Sequence, residues 1–149
     1  MTVIITVIII VAVLPAMLLI GGIVASIAVP AMLSQRVAAI DSSVESDVKT
    51  AATQVETWMI SNDGKEVPSF VVEADEDGAV KNTAKAKGLS EITADQNTTL
   101  TIKPVPGGPK GDYAIIGSNP SGKQSKDNPE TPDVQEGIIY YSGEGIIQE

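Results

Sequence analysis

The chain has 149 residues, a formal net charge of −9 at pH 7, and neither cysteine nor histidine. Without these two residue types it can form no disulfide, and most familiar nucleophile–base pairs and zinc sites are excluded. The negative charge repels the phosphate backbone of nucleic acids, so we expect no direct binding to them. We therefore predict a protein that is not an enzyme and has no cofactor.

The first predicted element is an apolar run from Met1 to Gln35, in which no residue is charged. About 20 apolar residues, at about 1.5 Å each, span the hydrocarbon core of a bilayer, so this run can cross a membrane with length to spare. It is too long for the apolar region of a secretory signal peptide, and no basic segment precedes it. Hydropathy alone favours a single-pass anchor, 1–35, followed by one head domain, 36–149.

Four residues that weaken helices interrupt this run: Pro15, Gly21, Gly22 and Pro30. Proline lacks a backbone donor, and glycine costs about 1 kcal/mol relative to alanine in a helix. A plain anchor tolerates such residues because neighbouring groups satisfy the freed carbonyls. A segment that unwinds when it changes environment would require them, and Gly21, Gly22 and Pro30 are our candidates for that segment.

The sequence beyond Arg36 predicts a long amphipathic helix. Glu45 and Lys49 lie at i,i+4 in the favourable order, which contributes roughly 0.2–0.5 kcal/mol. The pattern ends at residues 61–64, Ser-Asn-Asp-Gly, a typical helix stop. The helix needs a partner for its apolar face, and we predict that the chain after Gly64 supplies it. The predicted apolar face consists of Val37, Ile40, Val44, Val48, Ala51, Val55 and Met59.

The middle of the chain contains a weak metal motif. Glu73, Asp75, Asp77 and Gly78 match the first, third and fifth positions and the glycine of an EF-hand calcium loop. The twelfth position, which requires a bidentate acid, is Ala84, and alanine cannot bind a metal. We therefore favour a solvated acidic turn and keep the three carboxylates as a weak metal candidate.

The remaining sequence predicts mainly strands. Phe70–Val72 has the composition of a short strand, Ala79–Lys87 predicts a short helix, and Asn97 begins an Asn-Thr-Thr sequon, a candidate glycosylation site. The expected fold is α+β: a long N-terminal helix, apolar in its first half and amphipathic in its second, packs on a C-terminal antiparallel sheet of three to four strands. The strands predicted for this sheet are Thr99–Ile102, Asp112–Gly117, Gly137–Ser142 and, more weakly, Gly145–Gln148.

Residues 22–36, GIVASIAVPAMLSQR, resemble the N-terminal helix of type IV pilins and pseudopilins. In that family an apolar run containing glycine meets a proline and ends in Asn/Ser-Gln-Arg. Residues 41–53 are similar to pilins of the Gram-positive type, so the resemblance extends over about 22–62. It returns more weakly in the predicted strands at Tyr113–Asn119 and Ile138–Ser142.

The resemblance implies a structural subunit of a type IV pilus or a related extracellular filament. Such a subunit begins as a single-pass precursor in the inner membrane and loses a basic leader to the prepilin peptidase, which would place a mature, methylated N-terminus at Met1. The assembly machinery then adds it to a helical homo-oligomer at the cell surface. The alternative is a membrane-tethered minor pilin, pseudopilin or binding domain of a secretion or DNA-uptake machine. The residues expected in the filament core or its flexible helix segment are Met1, Ile5, Val13, Pro15, Gly21, Gly22 and Pro30.

One feature departs from the family. Pilins usually carry a glutamate at mature position five, which is thought to pair with the amine of a neighbouring subunit. Counting from Met1 places Ile5 at that position, and counting back from Pro30 places Val13 there. Either apolar packing drives assembly without this ion pair, or the N-terminus belongs to a divergent branch.

Overall fold

The computed structural model describes residues 31–109, 111–124 and 137–146 with their side chains, and in addition the helical backbone from Thr2 and the strand backbone to Ile147. The chain divides into two units, Met1–Arg36 and Val37–Glu149. One helix, α1, covers Thr2–Ser61. The fold is α+β, as predicted, with this helix followed by an antiparallel sheet.

Helix α1 ends where the sequence predicts. The backbone N–H groups of Asn62 and Gly64 both donate to the carbonyl of Met59, at 3.1 and 2.9 Å. Gly64 adopts a φ of 67°, which glycine reaches without the steric cost that a Cβ imposes. These bonds satisfy a carbonyl that would otherwise remain unpaired in the last helical turn.

The predicted apolar face of α1 is confirmed over the head domain. Val44, Val48 and Val55 are completely buried and Ala51 is 1% exposed. Val37, Ile40 and Met59, at the two ends of the face, are half-buried. Burial of each valine stabilises the fold by roughly 1.5–3 kcal/mol, so packing on the sheet contributes most of the stability of this part of the helix.

The sheet has six antiparallel strands, more than the three to four that were predicted, in the order β2-β1-β3-β4-β5-β6. The additional strands lie before Thr99 in the sequence and extend the sheet on the side of β3 away from β4. The strands are β1 Phe70–Ala74, β2 Val80–Asn82, β3 Thr99–Pro104, β4 Tyr113–Ser118, β5 Ile138–Tyr141 and β6 Gly145–Ile147.

The predicted helix at Ala79–Lys87 is wrong. Val80–Asn82 forms β2 instead and pairs with β1. The side-chain amide of Asn82 donates to the carbonyls of Leu89 and Ile92, at 2.8 and 3.0 Å. An asparagine that satisfies main-chain groups in this way stabilises a non-helical backbone, and this contact links residues up to ten positions apart, beyond the range of helical periodicity.

The strand register places one row of small and branched side chains opposite α1. Val72 pairs with Leu100, Leu100 with Gly117, and Gly117 with Ile138. Val72, Leu100 and Ile138 are at most 1% exposed and belong to the same core as Val48. The row is interrupted only at Gly117, where the helix approaches the strand most closely.

The helix lies so close to Gly117 that a side chain would not fit at this position. A Cβ atom added there would lie 2.5 Å from Cγ2 of Val48 and 2.7 Å from Cγ1 of Val44. Carbon atoms that are not bonded to each other do not approach so closely in folded proteins. Glycine in β4 therefore sets the distance between helix and sheet.

Candidate functional site

Three acidic side chains of α1 accept hydrogen bonds from the rest of the head domain. They are Asp41, Asp47 and Glu56, spread over four turns of the helix. Charged residues of an amphipathic helix are expected on its solvent face, and Asp41 departs from this expectation because it is buried. The contacts of the three side chains fix loops and strands of the head domain on the helix.

Asp41 fixes the loop that follows β4. Its side chain is buried, with 8% exposed, and its carboxylate accepts the backbone N–H groups of Lys123, at 3.0 and 3.3 Å, and of Gln124, at 3.2 Å. Asn119, 5% exposed, orders the start of the same loop, since its side-chain amide donates to the carbonyl of Gln96 at 3.2 Å. The loop is thus bound both to the helix and to the segment before β3.

The position of Asp41 in the helical repeat is by itself enough to predict that its side chain is buried. Asp41 lies four residues after Val37, three before Val44 and seven before Val48, which is the spacing of the apolar face itself. A carboxylate on that face is buried only if it is hydrogen-bonded. Its partners, two backbone N–H groups some 80 positions later, are not readable from the pattern.

Asp47 and Ser43 bind a second loop, before β3. The backbone N–H of Asp95 donates to the Asp47 carboxylate at 2.7 Å, and the Ser43 hydroxyl donates to the Asp95 carboxylate. Burial raises the pKa of Asp47, the hydrogen bond from the Asp95 backbone opposes that shift, and the negative charge of Asp95 adds to it. The ionised form of Asp47 is therefore less favourable in the folded chain than in the unfolded one.

The direction of this shift predicts how stability depends on pH. Above the ordinary aspartate pKa of 3.8, and below the raised pKa of Asp47, the folded chain binds more protons than the unfolded one, so the free energy of unfolding falls as pH rises through this window. Asp47→Asn keeps an acceptor for the Asp95 N–H and removes the charge. We expect a higher Tm at pH 7 and a smaller fall in Tm on going from about pH 4 to pH 6.

The measurement follows the fluorescence of Trp58, the single tryptophan, during thermal unfolding of the full chain in mild detergent. Trp58 packs against the core, so its emission reports on the head domain. Asp47→Ala, which removes the acceptor as well, is the matched control and should lower Tm. A Tm for Asp47→Asn below that of the unsubstituted chain at pH 7 would contradict the prediction.

Glu56 accepts hydrogen bonds from two tyrosines of the sheet. The hydroxyl of Tyr140 donates to Oε1 of Glu56 at 3.0 Å, and that of Tyr113 lies 3.3 Å from both this oxygen and the carbonyl of Ala52. The two rings are tilted, with centroids 6.0 Å apart. Burial raises the pKa of both hydroxyls, and the charge of Glu56 adds to the shift. Both tyrosines are therefore neutral donors at physiological pH.

Next to these tyrosines lies an open groove of about 430 Å³, which we call the Ile60 groove. It lies between the end of α1 and the turns that precede β4 and follow β5. Ile60 is 82% exposed beside it, the most exposed large apolar side chain among the residues whose side chains the structure describes. Glu56 and Asp112 place two carboxylates in the lining, and none of the described residues that line the groove is cationic.

The structure does not bring the three carboxylates of the weak metal candidate together. Across the described parts of the chain, no three acidic side chains form a group that could hold a metal ion. The carboxylate of Asp75 instead accepts the backbone N–H groups of Asp77 and Ala79, at 3.0 and 2.8 Å. With Gly78 at a φ of 79°, these bonds close the turn between β1 and β2, and Glu73 lies within β1 itself.

Asn97, the candidate glycosylation site, is exposed in a turn before β3, with a φ of 57°. Asparagine tolerates this left-handed conformation better than most residues, which gives a structural reason for its presence there. Attachment of a glycan stays a prediction.

The residues predicted for the filament core lie in the first half of α1. The backbone of α1 is helical through Pro15, Gly21, Gly22 and Pro30, but the side chains of residues 1–30, including Met1, Ile5 and Val13, lie outside the described residues. The predicted unwinding concerns the assembled filament and stays a prediction. Within the part of the chain whose side chains are described, no helix has both the length and the apolar composition to cross a membrane.

The hydrogen bonds of Asp41, Asp47 and Glu56 lie within the head domain, and each fixes a loop or a strand on α1. The Ile60 groove is the exception, since it combines an exposed apolar side chain with unneutralised carboxylates in its lining. Comparison with models of known protein families, with curated proteins and with solved structures found no match.

Proposed function

We propose that this chain is a structural subunit of a type IV pilus or a related extracellular filament. The observation that carries the proposal is the contrast between the two halves of α1. Residues 1–35 have no charge, whereas the second half already has a partner, since the sheet buries Val44, Val48 and Val55 completely. The uncharged half is the part of the chain whose composition suits packing against other copies.

Energy supports the same assignment. In water, each apolar side chain that a filament core buries contributes roughly 1.5–3 kcal/mol, before the cost of ordering the chain. About 30 such side chains per subunit can hold a polymer together without covalent links. This matters for a chain that contains no cysteine and cannot join its copies by disulfides.

The proposal includes a change of environment for the apolar half. The subunit is first held in the inner membrane, is processed by the prepilin peptidase, and is then moved by the assembly machinery from lipid into the bundle. Gly21, Gly22 and Pro30 lower the cost of unwinding the helix during this step, because they are poor helix formers. Packing of Ile5 and Val13 replaces the ion pair that most pilins use.

The test combines microscopy with one substitution. Fibres sheared from the cell surface should contain this chain, identified by mass spectrometry, as their main component. Leu18→Asp places an unpaired charge in the uncharged run, at a position that neither count aligns with the family glutamate. The charge costs several kcal/mol per subunit and should reduce the fibre yield at least tenfold. The comparison is made in cells whose membrane fraction holds equal amounts of chain, and Leu18→Met, which nearly conserves the volume, should leave the yield unchanged.

Two outcomes would contradict the proposal. One is a fibre yield for Leu18→Asp equal to that of the unsubstituted chain. The other is a chain that stays in the membrane fraction or occurs in fibres only in traces, which is the behaviour of a tethered binding domain or minor component.

A further inference from the structure

The Ile60 groove presents an apolar and acidic surface on which one large apolar side chain stays exposed. Ile60 is 82% exposed, and Met59 beside it is half-buried. Glu56 and Asp112 supply two carboxylates. Among the described residues, the side-chain donors to Glu56 are two neutral hydroxyls, which leave its charge in place. A ligand that fits this groove therefore has an apolar part beside a cation.

A short segment of α1 has the complementary chemistry. Met32 and Leu33 are 70% and 58% exposed, and Arg36 is exposed as well. Arg36 lies four residues after Met32 and three after Leu33, so the cation shares a helical face with both apolar side chains. It is the single cationic residue among the first 48 positions of the chain. Among the described side chains there is one ion pair, which joins Lys49 to Glu45 and does not involve Arg36.

We propose that the Ile60 groove of one copy binds the segment Met32–Arg36 of a second copy. Met32 and Leu33 cover Met59 and Ile60, and the guanidinium of Arg36 lies between the carboxylates of Glu56 and Asp112. This assignment rests on the proposed function, because the filament is what brings the copies together. It adds a contact between helix and head domain to the packing of apolar helices.

The segment and the groove lie in different parts of the chain, with Arg36 lying 20 positions before Glu56 in the sequence. Because the segment and the groove are different surfaces, the contact is heterologous and can repeat indefinitely, as a helical filament requires.

Cysteine cross-linking tests the contact, because the natural chain has no thiol. Cells produce mixed fibres from two singly substituted chains, Leu33→Cys and Ile60→Cys, one of them carrying a tag that changes its mass. Mild oxidation should join the two chains into a heterodimer, since a disulfide forms only where the Cβ atoms lie about 4 Å apart. The matched control pairs Leu33→Cys with Val80→Cys, a residue that is 42% exposed on the edge strand β2.

The expected result is at least five times more heterodimer from the Leu33–Ile60 mixture than from the control. Fibres that form but give equal or less heterodimer would overturn the groove contact and leave the proposed function standing. Absence of fibres from the unsubstituted chain would overturn both.

Charge reversal provides a second readout in the full-length chain. Arg36→Glu and Asp112→Arg should each lower the fibre yield at least threefold, and the double variant should recover most of it. Glu66→Lys, a charge reversal of an exposed residue outside the groove, should leave the yield unchanged. A double variant no better than the weaker single variant would overturn the pairing of Arg36 with the groove.

Discussion

Substitution of Gly117 by alanine is expected to lower the free energy of unfolding of the head domain by roughly 1–3 kcal/mol. The new Cβ would lie 2.5 Å from Cγ2 of Val48 and 2.7 Å from Cγ1 of Val44. Valine in a helix has essentially one side-chain rotamer, so neither residue can turn away. The helix and β4 must move apart, which loosens the packing around both valines.

A double-mutant cycle separates this steric effect from the loss of backbone freedom at a glycine. Val48→Ala removes the nearest clashing atom, so it should be much less destabilising in the Gly117→Ala chain than in the natural one, with a coupling of about 1 kcal/mol or more. Denaturant unfolding followed by Trp58 fluorescence gives all four values. Additive effects of the two substitutions would contradict the proposed close approach.

Asp41→Ala is expected to lower the free energy of unfolding by about 2–3 kcal/mol. The substitution leaves the backbone N–H groups of Lys123 and Gln124 without the acceptor that they have at 3.0–3.3 Å. Hydrogen bonds to a charged group are stronger than neutral ones, and the carboxylate is 8% exposed, so water competes little for it.

The loss should be concentrated in the loop that Asp41 fixes. We expect faster tryptic cleavage after Lys123 in Asp41→Ala, because proteases cut loops that open locally. Asp41→Asn retains one acceptor oxygen and should have an intermediate effect, and Ser42→Ala, at the exposed neighbouring residue, should have almost none. Cleavage at the natural rate together with a stability loss below about 0.5 kcal/mol would show that Asp41 does not hold the loop.

The sequence was most informative where structure follows a local period. Residues three and four apart predicted which side chains of α1 face the core, the residues around Gly64 predicted its end, and strict alternation predicted β3. Each of these signals is contained within a few neighbouring residues, so one chain suffices to read it.

The sequence was least informative where the decisive contact is distant. The hydrogen bonds of Asn82 to distant carbonyls favour a strand where a helix was predicted. The periodicity of nearby residues gives no information about that contact. The role of Gly117 depends on which part of α1 crosses β4. The partners of Asp41 and Glu56 depend on the positions of loops and strands that the pattern of α1 does not specify.

The contact proposed at the Ile60 groove joins one surface that the sequence reveals to another that it does not. Exposed Met32, Leu33 and Arg36 are visible in the sequence as two apolar residues and a cation on one helical face. The groove, in contrast, requires the turn before β4 and the turn after β5 to meet the end of α1, which only the folded head domain brings about. The proposed contact thus depends on a surface whose residues are far apart in the sequence.

The most direct measurement of the central proposal is a cryo-electron-microscopy reconstruction of fibres sheared from cells that produce this chain. We expect residues 1–35 of neighbouring copies to contact one another along the fibre axis, head domains to form the outer surface, and helical hydrogen bonds to be broken somewhere between Gly21 and Pro30. A fibre whose centre is formed by head domains, with residues 1–35 removed or facing solvent, would contradict the proposal. So would cells that form no fibre containing this chain, if the intact chain also stays monomeric in mild detergent.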